Sequence, residues 1–143
     1  MSLLIRAVFG LIVLAAAAST VHASDDTRLN FLRAVLQETT VNEVGVRQTK
    51  AIEDLMALYA QSGTTDELKD EIVTILLVDT VDAHDWLTSM AVEAIATAVD
   101  LHRGAGPALR ETIMRRLDDI ATNYDSTRSR AAGQAQNLIR SGR

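Results

Sequence analysis

Three carboxylates and an imidazole crowd seven residues of this chain, at Asp79, Asp82, His84 and Asp85. Hard oxygens with one nitrogen suit a divalent cation, and a flexible loop would let them converge on it. No glycine here makes the sharp turn of a calcium loop, and the spacing matches no standard metal motif. Asp82 and Asp85 serve equally as caps and dipole partners of a following helix. The quartet is thus a candidate metal set with a structural alternative, and the overall expectation is a non-enzyme with no cofactor and no catalytic residue. Glu53 and Glu93 stand forty residues apart, which invites an acid–base reading that repeated architecture explains as well. His84 and His102 form no recognisable triad pattern, and His102 reads as a C-terminal helix residue favoured by the local dipole.

Two other groups suit binding rather than reaction. Trp86, the single tryptophan, either anchors a partner from the surface or closes one end of the core. Arg110, Arg115, Arg116, Arg128, Arg130, Arg140 and Arg143 make the last third basic without any lysine, and Arg115, Arg116 and Arg130 are the partner-binding candidates. Asp118, Asp119 and Asp125 balance them in part. From Ser24 to Asp100 fifteen acids face five bases, whereas from Leu101 to Arg143 four acids face eight bases. A protein or peptide is the expected partner, nucleic acid is disfavoured by the net negative charge, and self-association through the opposite charges is the structural alternative.

These residues need elements to position them, and the first 23 residues are set apart from that task. Met1 to Arg6 is a short start with one cation, Ala7 to Ala18 is uncharged and apolar, and Val21-His22-Ala23 offers small residues to a signal peptidase. The expectation is a signal peptide at 1–23, export to the periplasm or beyond, and one domain at 24–143. Membrane contact would arise only if that segment stayed uncleaved, and it is shorter than the ~20 residues that span a bilayer comfortably. With no cysteine, the domain must rely on its apolar core.

Six helices account for that core. Apolar stripes begin at Leu29, Leu68 and Leu109 on the leading helices. On the second helices, Ala51, Ile52, Leu55, Leu58 and Tyr59 are followed forty residues later by Ala91, Val92, Ile95, Ala98 and Val99, and again by Ala131, Ala132, Ala135, Leu138 and Ile139. Gly63 is placed to end the second helix, Thr64 with Glu67 to form a capping box for the third, and Asp82 or Asp85 to cap the fourth. Pro107 suits the first turn of the fifth, and the turn at Asp125 caps the sixth, which Gly142 closes. Leu55, Ile95 and Leu138 are expected to be buried together.

Val46-Arg47 followed by Ala51-Ile52-Glu53-Asp54-Leu55, then Met90-Ala91-Val92-Glu93-Ala94-Ile95, and Asp125-Ser126-Thr127-Arg128-Ser129-Arg130-Ala131-Ala132 resemble HEAT-type α-helical repeats. The usual proline of the leading helix is missing, and Leu87-Thr88 replaces the Val-Arg pair in the middle copy. The resemblance implies an all-α, short right-handed α-solenoid of about three antiparallel helix pairs that binds proteins or peptides, with no catalytic residue to carry over. A compact six-helix bundle is the alternative. N-terminal sequencing of secreted protein should begin at Ser24; Met1 retained in a membrane fraction would replace the free module with an anchored one.

Overall fold

The computed structural model describes residues 25–38, 44–83 and 88–143. Helix α1 covers residues 25–36 and α2 covers Val44–Ala60. Helix α3 runs as Asp66–Thr74, widens into a π turn at Ile75–Asp79 and finishes as Thr80–Asp82. Helix α4 is Thr88–Ala96 and Ala98–Arg103, α5 is Pro107–Asn123, and α6 is Ser126–Arg140. The protein is all-α, with no strand among the described residues. The chain divides into two units between Phe31 and Leu32, inside α1; the second unit, Leu32–Arg143, carries all the contacts that follow.

Local chemistry explains most of the boundaries. Gly63 takes a φ of 84°, the left-handed region that a β-carbon disfavours, and so turns the chain out of α2. Thr65 rather than Thr64 caps α3, its hydroxyl accepting from the Leu68 amide at 3.2 Å. The cap therefore sits one residue later than expected, and with Leu68 at the third position the reciprocal bond of a capping box is not made. The Thr64 hydroxyl instead donates to the carbonyls of Leu58 and Gln61, both at 2.8 Å, and closes the end of α2. Pro107 opens α5 as expected, and Asp125 caps α6 by accepting from the Arg128 amide at 2.8 Å.

Helix α3 also continues further than its polar residues suggest. The hydroxyl of Thr80 donates to the Ile75 carbonyl at 2.8 Å, five residues back, so the widened turn keeps its groups satisfied. Ile75, Leu76 and Leu77 are buried in succession along the widened turn, which packs against both α4 and α5. As a result Asp82 sits in the last turn of α3 and is no cap for α4. A second interruption, at Thr97, bends α4: the Thr97 hydroxyl and amide both donate to the Ala94 carbonyl, at 2.6 and 3.1 Å.

From α2 onward, packing links each helix to its sequence neighbour and to the next but one. Helix α2 lies against α3 and α4, α3 against α4 and α5, α4 against α5 and α6, and α5 against α6. Leu55, Ile72, Ile95, Leu101, Ile113 and Leu117 are fully buried in that core. Leu138 is not, being 46% exposed, and this corrects the expectation for the third stripe. The cause is polar. Arg128 and Gln136, 3% and 6% exposed, turn inward on α6 beside Ala132 and Ala135, and they set the buried face. Leu138 then falls about 100° around the helix from the middle of that face. Replacing Leu55 or Ile95 with alanine should cost ~2–5 kcal/mol in denaturant unfolding, because each leaves a cavity. Leu138→Ala should stay within about 0.5 kcal/mol, as surface changes do.

Candidate interaction surface

The side chains singled out for chemistry divide by what they touch. Asp79, brought to the inner side of α3 by the π turn, accepts from Arg33 Nε at 3.1 Å, and Arg33 Nη2 reaches Glu71 at 3.3 Å. Asp82 accepts a hydrogen bond from the Tyr124 hydroxyl, across from the turn between α5 and α6. His84, Asp85 and Trp86 lie outside the described residues. Among the described residues no group of three metal-ligating side chains assembles, and no helix is long and apolar enough to cross a membrane. Glu93 accepts from the Thr49 hydroxyl at 3.3 Å, tying α4 to α2, while Glu53 faces solvent. The Glu53–Glu93 pair of the sequence is thus split between two environments.

The basic residues also divide. Arg128 is buried, pairs with Asp125 at 2.5 Å and donates to the Ala83 carbonyl at 3.2 Å, so it belongs to the architecture and not to a basic face. Arg110 donates to the carbonyls of His102 and Arg103 at 3.1 and 3.4 Å, satisfying acceptors that the end of α4 leaves open. Arg115, Arg116 and Arg130 are exposed, as are Arg140 and Arg143. On α5, Glu111, Asp118 and Asp119 lie within one turn of Arg115, whereas no acid of α6 lies within a turn of Arg130.

One concavity was not legible in the sequence. Gly106, Pro107, Ala108, Leu109 and Thr112 at the start of α5 face Asp66 and Asp70 on α3 across a cleft of 310 Å³. Its wall is apolar and its rim carries two carboxylates. The spacing of Asp66 and Asp70 shows that they share a helix face, but only the stacking of α5 on α3 makes that face a rim. Chemically the arrangement suits a cation on an apolar stem.

Titration behaviour follows packing. Burial pushes the Tyr59 phenol up, with Arg110 opposing, and pushes His102 down, with Arg110 adding to the effect. Burial, the hydrogen bond to Asp82 and the charges of Asp82 and Asp119 raise Tyr124 to about 12, against a smaller opposing pull from Arg128. No family model, curated protein or solved structure matches the chain.

Tyr124 gives a direct check on this geometry. Its folded value lies above the usual 10.0, so its contribution to stability is complete below that pH and is lost as the pH rises towards 12. Absorbance titration of the folded protein should show a phenolate, absent from Tyr124→Phe, forming near 12. Asp82→Asn should lower that midpoint while leaving it above 10.0, because burial, the largest cause, remains.

Proposed function

We propose that this chain is an exported, non-catalytic interaction module, a short right-handed α-solenoid of three helix pairs akin to HEAT-type repeats, which binds a protein or peptide. The pairs are α1 with α2, α3 with α4, and α5 with α6. One observation carries the reading: long-range side-chain hydrogen bonds fall near one sequence period. Arg33 to Asp79 spans 46 residues, Thr49 to Glu93 44, Tyr59 to the Leu101 carbonyl 42, Arg103 to the Arg143 carbonyl 40 and Arg128 to the Ala83 carbonyl 45. Contacts confined to neighbouring repeats are what a solenoid produces, since each pair buries its open face on the next. A closed bundle also brings its first and last helices together.

The non-catalytic reading draws on the fate of the carboxylates. Asp79, Asp82 and Glu93 are engaged by Arg33, Tyr124 and Thr49, three joints between neighbouring pairs. What the surface offers is charge and exposed side chains on α5 and α6, which favours recognition of an acidic partner by Arg115, Arg116 and Arg130. Reversing these three to glutamate should weaken capture of partners from an envelope extract while leaving helicity and melting temperature nearly unchanged. Raising salt from ~0.05 to ~0.5 M should mimic the substitution by screening. Undiminished capture by the reversed protein would remove the basic helices from the binding face.

A further inference from the structure

The α3–α5 cleft and the outer face of α6 carry complementary chemistry on one molecule. The cleft has Asp66 and Asp70 on its rim and Pro107, Ala108 and Leu109 along its wall. Among the described residues neither carboxylate forms an ion pair, and both residues are exposed. Lys69, the one base of α3, is held away from them: its ammonium bonds the Gly104 carbonyl at 3.1 Å and lies 5.2 Å from the centre of the Tyr59 ring. At 310 Å³ the cleft is near the lower limit of ~300 Å³ for small-molecule sites, a size better filled by one or two side chains than by a cofactor.

Helix α6 presents such side chains. Arg130 lies opposite the buried residues Arg128, Ala132, Ala135 and Gln136, and Leu138 lies on the flank about 80° around the helix from it. Eight residues apart, they are separated by about 12 Å along the axis. Leu138 is 46% exposed, which leaves apolar surface open to solvent. A cation beside a half-exposed leucine answers an acidic rim beside an apolar wall, and both halves belong to every copy of the chain.

We infer that the outer face of α6 of one molecule seats on the Asp66–Asp70 cleft of a second copy, Arg130 pairing with the carboxylates and Leu138 covering the apolar wall. This rests on the reading above that Arg130 belongs to a binding face, and it names the partner of that face. The two patches differ, so the contact is heterologous and extends from copy to copy unless it is reciprocated within a dimer. Desolvated arginine–carboxylate pairing supplies specificity, and the apolar contact supplies a component that salt does not screen.

Sedimentation equilibrium of the full chain in the high-micromolar range tests this. At ~0.05 M salt the protein should form oligomers, and at ~0.5 M the self-association constant should fall at least ~10-fold. Asp66→Lys with Asp70→Lys in one chain, and Arg130→Glu in another, should each be monomeric at low salt. Mixing the two should restore assembly, because the intact cleft of one then meets the intact arginine of the other. Leu138→Ser should weaken assembly and leave helicity unchanged, which separates loss of contact from loss of fold. A monomer at low salt, or an oligomer indifferent to salt and to all three variants, would overturn the inference. If the chain proves monomeric but Arg130-dependent capture of an acidic partner persists, the second copy is excluded while the interaction-module reading stands; loss of both removes the two together.

Discussion

Every helix ends in carbonyls that have no partner within it, and the way the end of α4 meets that requirement organises the centre of the molecule. Tyr59 of α2 donates to the Leu101 carbonyl at 2.6 Å, Lys69 of α3 to the Gly104 carbonyl, and Arg110 of α5 to those of His102 and Arg103. Three helices thus grip one terminus. Cations placed there also oppose the negative end of the helix dipole. Gly104 eases the close approach, since a β-carbon there would sit 3.0 Å from Cε1 of Tyr59, a tight contact. Burial of the Tyr59 ring follows from the same junction and keeps its hydroxyl protonated, hence able to donate.

The second joint works on the same principle at the other end of α3. Arg128 reaches from α6 to the Ala83 carbonyl, while Tyr124, from the preceding turn, binds Asp82. Together they tie the last pair to the end of α3. Fixing Arg128 inward also orients α6, because Gln136 two turns later must follow it and bonds Asp118 of α5. Packing area alone would have favoured burying Leu138, worth roughly 2 kcal/mol of transfer free energy if fully buried. The paired arginine and the glutamine instead hold their positions, since a buried polar group stripped of its partner costs ~1–3 kcal/mol.

The sequence was most legible where periodicity and caps agreed. Six helices, the turn at Gly63, the proline start at Pro107 and the Asp125 cap could all be read from residue type, because each depends on local backbone chemistry. Offset 55, 95 and 135 of the forty-residue echo is buried in every copy, but the rest of the stripe rotates from helix to helix: Val92, Val99, Ala131 and Ile139 are half-buried and Leu138 exposed. Apolarity states that a residue prefers the interior; which side of a helix faces inward depends on the neighbouring pair. For the same reason the π turn of α3 has no signature in the sequence, nor do the roles of Asp79 and Asp82, whose partners lie 46 and 42 residues away. A run of acids between two helices resembles a metal loop in one dimension and a set of joints in three. The cleft of Asp66 and Asp70 was hidden likewise, since its apolar wall comes from α5.

Net charge overstates the positive surface of the last pair. Eight arginines after Leu101 suggest a broad positive surface, yet Arg128 is buried and Arg110 is committed to the end of α4. Arg115 is hemmed by Glu111, Asp118 and Asp119 on its own helix, and a mixed face of this kind projects little field beyond a Debye length of ~8 Å at physiological salt. Long-range steering by the last pair is therefore weak, and recognition there depends on short-range pairing by individual guanidinium groups. That places the weight on Arg130, where α6 offers no acid within a turn and the half-exposed Leu138 adds apolar surface on the adjoining flank. A partner reading those two residues needs an acidic group and an apolar ledge held about 12 Å apart, so shape decides between acidic partners where net charge would admit them all.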